Sequence, residues 1–200
     1  MRKLDRNAVT APKCLANYSG LAWNALAKND KEEIYDSLEV LQKEEGNVKC
    51  AYCETFINNK RRHIEHFYPR RNFQDLTFDW DNLFLSCGYP NHCGHYKDKH
   101  SYDINNLIKP DRDNPDDFLK FNSNGQVVYK YTNSPNQTIE ILNLNEPSLV
   151  SARANAIKPY KENLEEIMNL GYNAKTYIEK ELEDAKKQEH STAIRHFLYN

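Results

Sequence analysis

The chain has 200 residues, 39 % apolar and 12 % aromatic, and a formal net charge of −2. That apolar content excludes a disordered tail, and the near-neutral charge gives no global electrostatic case for a polyanionic partner. No apolar run approaches the ~20 residues of a membrane span, and the opening Met1-Arg2-Lys3-Leu4-Asp5-Arg6 lacks the apolar stretch of a secretion signal. The expected compartment is the cytosol, with no membrane contact.

Residues 1–28 carry no clear periodicity. Asp30 followed by Glu33 reads as a helix start, and Ile34, Leu38 and Leu41 repeat at helical spacing before Gly46. A helix over about 30–45 is therefore expected, within an N-terminal segment of residues 1–48. From 49 to 105 the elements are short. Arg61 to Tyr68 reads as a strand ended by Pro69, Phe78 to Ser86 as a loop anchored by Trp80 and Leu83, and Gly94 to His100 as a helix. Residues 106–200 read as a hairpin and a helical region packed with that core as one unit. Asp111 to Asp117 is a turn; it lacks the glycine and the distal glutamate of a calcium loop. Phe118 to Phe121 and Gln126 to Tyr131 flank Asn124-Gly125, a hairpin signal, and Thr138 to Leu144 fits strand or helix. After Pro147 the chain is helical, with Leu149, Ala152, Ala156 and Tyr160 on one face, a kink or break expected at Pro159, and a stop at Gly171. Tyr177, Ile178 and Leu182 mark another helix, and Ile194, Phe197 and Leu198 a last one. Asn136-Gln137-Thr138 matches a glycosylation sequon, which has no meaning in the cytosol.

The residues that carry chemistry lie in the middle. Cys50-Ala51-Tyr52-Cys53 is a tight C-x-x-C, and Cys87 and Cys93 form a looser pair with five residues between them. In a reducing compartment paired cysteines favour a metal over disulfides. Four thiolates suit a structural zinc ion, which would fix the loop between the pairs. His92 is the alternative fourth ligand, and Cys14 is a spare thiol. Between and beside the pairs stand His63, Glu65, His66, Asn82 and His95. These are the types needed for a general base and a second, catalytic divalent ion. On a regular strand Glu65 and His66 face opposite ways, so sharing one site needs a local distortion. His63 reads as a surface or supporting residue. Lys60, Arg61, Arg62, Arg70 and Arg71 form a basic rim that could hold phosphates. Strand, loop and helix around a metal give an α+β fold of ββα-metal type, stapled by a zinc knuckle and surrounded by helices.

At Cys50-x-x-Cys53, Glu65-His66-Phe67-x-Pro69, Trp80-x-Asn82-Leu83 and Cys87…Cys93 followed by Lys97, the chain resembles an HNH endonuclease. It is most similar to the PtuB-like proteins of Septu-type and retron-associated anti-phage systems. The likeness extends through Leu107-Ile108-Lys109-Pro110, Asn114-Pro115, the Gly125 hairpin and Ile141-Leu142-Asn143-Leu144-Asn145, over roughly residues 1–155. The resemblance implies His66 as general base, Glu65 as a metal ligand and Asn82 as support for the base and its loop. Where the family pattern has asparagine or histidine directly after the last cysteine, this chain has Gly94. The second ligand to catalytic Mg²⁺ or Mn²⁺ is therefore assigned to His95, with His92 and His100 as alternatives. Lys97, Arg70 and Arg71 are assigned to phosphates. The resemblance also implies an ABC-type ATPase partner and, in some systems, a reverse transcriptase with its RNA–DNA product. The acidic helical tail and the N-terminus are the surfaces expected to meet them. DNA is the default substrate, with RNA such as tRNA the alternative.

Two rivals compete with this reading. His63-Ile64-Glu65 satisfies the H-x-E of zinc deaminases, but their P-C-x-x-C is missing. A non-catalytic zinc module explains the cysteines but leaves Glu65, His66 and Asn82 without a role.

Overall fold

A computed structural model describes residues 1–131 and 137–199; Asn136 of the sequon lies outside them. Residues before the first helix form three short 3-10 turns, with Leu4, Leu15 and Tyr18 buried. Helix α1 spans Lys28–Gln42 and buries Ile34, Tyr35, Leu38, Leu41 and Gln42. It starts two residues earlier than the capping pattern predicts. Asp30 is not the cap: its carboxylate accepts a hydrogen bond from the Tyr18 hydroxyl at 2.5 Å, which ties the N-terminal turns to the helix. Strands β1 (Lys43–Glu44) and β2 (Asn47–Val48) form a tight hairpin leading into the first cysteine pair.

The centre of the molecule is the antiparallel pair β3 (Arg62–His66) and β4 (Leu83–Cys87), with Glu65 opposite Phe84 and His66 opposite Leu83. The short helix α2 (Cys93–Lys97) follows and packs on β4. The region expected as a loop thus ends in a strand. All five residues of β4 are buried, because α1 and α2 both lie against it, and a strand covered on both faces shows no alternation to read. The Gln42 amide joins α1 to this strand, accepting from Leu85 N at 2.6 Å and donating to Leu85 O at 2.9 Å.

Beyond the centre, β5 (Leu119–Phe121) and β6 (Val127–Tyr129) form the predicted hairpin. Gly125 sits at its turn with φ +85°, and a Cβ there would fall 2.1 Å from Val150 O, so only glycine seats the turn on the next helix. The ambiguous segment is helical, α3 (Thr138–Ile141), and α4 (Pro147–Asn169) runs unbroken through Pro159. Pro159 and Asn155, whose carbonyl loses its bond, both face solvent, where water satisfies the freed oxygen. Helices α5 (Ala174–Ala185) and α6 (Ser191–Leu198) complete the chain. α6 docks on the first cysteine pair: Glu54 accepts from Thr192 N at 2.8 Å and Ser191 Oγ at 2.9 Å, and His190 bonds Cys53 O at 2.7 Å. Among the described residues no helix is long and apolar enough to cross a membrane.

Candidate functional site

The turn after β2, the end of β4 and the start of α2 bring Cys50, Cys53, Cys87 and Cys93 together, all buried and free. Their sulfurs lie within 4.8 Å of one another, with Cys53 and Cys87 at 3.6 Å. Tetrahedral zinc with bonds of about 2.3 Å sets its sulfurs about 3.8 Å apart, so the set could bind a metal such as zinc. The looser spacing of the second pair is absorbed by Cys93, which adopts a left-handed φ of 58°. His92 Nδ1 lies 3.2 Å from Cys93 Sγ and 3.6 Å from Cys87 Sγ, so it stands at the edge of the sulfur set. Burial works against a Cys53 thiolate, yet hydrogen bonds from Cys50, Cys87, Cys93 and His92 bring its pKa well down. Hydrogen bonds to Cys50 and Cys53 drive Cys87 up in turn. Four such groups ionise together only around a cation. Buried Arg153 also faces this charge: burial lowers its pKa while Cys53 and Cys93 pull the other way.

On the other side of the hairpin, strand alternation sends His63 and Glu65 to the face covered by α2. Glu65 is fully buried. Its Oε1 accepts from Lys97 Nζ at 2.8 Å and from the Tyr52 hydroxyl at 3.4 Å. Its Oε2 has no hydrogen-bond partner among the described residues, and neither has His63 Nε2, 3.8 Å away. Burial pushes the Glu65 carboxyl up to about 7 against the pull of Lys97. Burial and the neighbouring His95 bring His63 down to about 4. Ligand atoms of His63, Glu65 and Asp98 come within 4.8 Å of one another.

His66 points to the opposite face, as a regular strand requires. Burial, helped by Arg70, holds its pKa down at about 4, and the edge of Trp23 packs on it at 4.6 Å between centroids. Its Nε2 lies 3.0 Å from Thr77 O. A carbonyl only accepts, so Nε2 carries the hydrogen and the lone pair is on Nδ1. Asp98 and His63 add smaller, opposing electrostatic contributions to His66.

Asn82 is buried and clamps this region. It accepts from Tyr68 N at 2.6 Å and donates to Tyr68 O at 3.1 Å and Leu76 O at 2.8 Å, fixing the segment whose next carbonyl holds His66. His95 is not among the atoms converging on Glu65; its ring stacks on His63 at 4.1 Å. Lys97 is fully buried. Besides Glu65, its ammonium serves His66 O at 3.0 Å, Asp98 Oδ1 at 2.8 Å and Tyr102 Oη at 3.0 Å, which leaves no donor for a phosphate. Arg71 spends its guanidinium on the carbonyls of Asp98 and His100. Arg70 is exposed beside the Trp23 ring, 5.5 Å from its centroid. The sequence signal for His63 was its i, i+2 relation to Glu65; Trp23, Thr77 and Asp98 had none.

No protein-family model matches the chain. It is 26 % identical to the Septu protein PtuB of Bacillus mycoides (strain KBAB4) over 188 residues, which covers 74 % of this chain and 63 % of that protein. It is 31 % identical to the Septu protein PtuB of Bacillus thuringiensis over 108 residues, 52 % of this chain and 39 % of that protein. The chain is PtuB-like. The match to each relative spans less than two thirds of that relative's length, so what those proteins do as wholes is not transferred with the likeness.

Proposed function

We propose that this PtuB-like chain is an HNH-type nuclease of a Septu-type anti-phage system, hydrolysing nucleic-acid phosphodiesters over a zinc-stapled ββα core. The observation that carries the reading is His66, a buried, neutral imidazole whose tautomer is fixed by Thr77; Glu65, buried with one oxygen that has no partner among the described residues, lies on the other face of β3, so the reading requires the strand end to bend when substrate binds. With Nε2–H held by the carbonyl, Nδ1 takes the proton of an attacking water as its oxygen bonds to phosphorus and the bond to the leaving oxygen breaks. The Thr77 carbonyl then stabilises the imidazolium. Asn82 keeps that carbonyl in place, and Arg70 offers its guanidinium to a non-bridging phosphate oxygen. Glu65 would hold Mg²⁺ or Mn²⁺, which supplies positive charge where the leaving oxygen becomes anionic. The thiol set would hold zinc and so tie β4 and α2 to the turn after β2.

An ATPase partner belongs to the same reading, supported by the family resemblance alone. The α4–α5 hairpin leaves Met168, Leu170 and Tyr172 exposed at its tip, a surface suited to such a contact. The test is cleavage of phage DNA and total RNA with Mg²⁺ or Mn²⁺, by the chain alone and with the proposed ATPase partner. His66→Ala should lose 10²–10⁴-fold in rate with circular dichroism and zinc content unchanged. Wild-type protein that cleaves neither nucleic acid would leave a binding module as the better reading, and a His66→Ala variant as active as wild type would remove His66 as the base.

A further inference from the structure

Glu65 and His63 present two buried atoms that hydrogen bonding leaves unanswered. Glu65 Oε2 and His63 Nε2 lie 3.8 Å apart, each without a partner among the described residues. That gap is too long for a hydrogen bond, whose usual length is about 2.9 Å. A divalent ion about 2.1 Å from each would fit between them once the two atoms close by about 0.4–0.8 Å. We propose that the divalent cation of this site is held by His63 Nε2 and Glu65 Oε2, with the Asp98 carboxylate as third ligand, and that His95 positions His63 without binding the ion. This rests on the nuclease reading only for what the ion does, not for where it binds.

Three features of the chain build the cradle. Alternation along β3 puts positions 63 and 65 on one face. Gly94 leaves space beneath the carboxylate, since a Cβ there would lie 2.2 Å from Glu65 Oε2. Lys97 occupies Oε1, so Oε2 is the oxygen left to face the ion. The His95 ring, stacked 4.1 Å from that of His63 at an interplanar angle of 26°, fixes the imidazole's orientation. Two carboxylates and one ammonium sum to a single negative charge, which makes a weak, exchangeable site. One imidazole with two carboxylates favours Mn²⁺ over Mg²⁺ or Ca²⁺, ions that prefer all-oxygen sets.

The experiment is Mn²⁺ titration of the zinc-loaded full chain, followed by loss of the free-ion electron paramagnetic resonance signal. Pulsed measurement of nitrogen coupling in the bound state accompanies it. One Mn²⁺ should bind with a single imidazole nitrogen coupling. His63→Gln should abolish that coupling and weaken binding at least tenfold, and Asp98→Asn should weaken binding with the coupling kept. His95→Gln should keep the coupling and weaken binding by only about threefold, the loss expected of a residue that orients His63 without touching the ion. Coupling that survives in His63→Gln and vanishes in His95→Gln would overturn the assignment, as would a wild type with no Mn²⁺ bound. Thermal melts of each variant establish that the fold persists; if His63→Gln fails to fold, the coupling in His95→Gln still decides between the two imidazoles. Mn²⁺ bound through His63 by a chain that cleaves nothing would sink the nuclease reading and leave this site standing.

Discussion

The four-thiol cluster and the His63/Glu65 cradle belong to the same hairpin-and-helix unit, and both begin at the first turn of α2, yet they treat buried charge differently. The cluster gathers four groups that shed protons on binding, and nearby Arg153 is the cation it meets from the protein. The cradle carries its own ammonium, Lys97, wedged against both carboxylates. A closed ligand set binds its metal tightly and makes it part of the fold, whereas a partly neutralised set with free positions holds an ion loosely enough to exchange. On the proposed reading, the difference between the two sets is the difference between a staple and a working site.

The sharpest way to break that contrast is to remove the staple. Apparent binding energies of structural zinc run at roughly 10–16 kcal/mol, more than the ~5–15 kcal/mol stability of an ordinary domain. Cys87→Ser, or a strong zinc chelator on the wild type, should therefore abolish the cooperative thermal transition seen by circular dichroism. A melt unmoved by chelation would show that the cluster is four buried thiols and nothing more.

The convergence of the four cysteines was legible from spacing alone, because a C-x-x-C turn and a distant pair constrain each other whatever the rest of the fold does. The β3–β4 pair was half legible. Arg61 to Tyr68, stopped by Pro69, reads as a strand, while Leu83-Phe84-Leu85-Ser86-Cys87, buried throughout and in contact with both α1 and α2, gives no alternation to read. The cradle was legible as a set of residue types but not as a geometry. Position 95 looked like the second ligand because it follows the last cysteine closely; the helical turn instead lays it on His63. Trp23 over His66, and Thr77 beneath it, come from segments with no periodicity, and such long-range contacts leave no local mark in a sequence.

On the far side of the strand, His66 sharpens the contrast through pH. Its pKa lies at about 4 in the folded chain, below the ordinary 6.5, because burial disfavours the imidazolium. The unfolded chain then binds the proton more tightly. The stability this contributes is fully present above pH 6.5 and is lost as pH falls toward 4. Each pH interval of one between those two values is worth ~1.4 kcal/mol, so the loss amounts to about 3 kcal/mol. Urea midpoints of wild type and His66→Gln, compared from pH 7.5 to 4, should converge by roughly that amount. Parallel curves would place His66 in water instead of under Trp23.

Gly94→Ala asks whether the two sites are separable where they touch. The new methyl would stand 2.2 Å from Glu65 Oε2 and 2.7 Å from its Cδ, so the carboxylate, pinned at Oε1 by Lys97, has to move. Overpacking of this kind costs about 1–3 kcal/mol, and alanine returns up to ~1 kcal/mol through helix propensity, less in a first turn. The net loss should be about 1–2 kcal/mol, visible as a small drop in melting temperature. The larger consequence is functional. The displaced oxygen should no longer meet an ion, and Mn²⁺ affinity should fall at least tenfold. The sulfurs should still give the thiolate-to-metal absorbance of a cobalt-substituted protein. Cys93 stands one residue away at a left-handed φ of 58°, so loss of that absorbance together with Mn²⁺ binding would mean that the staple and the cradle are one mechanical unit.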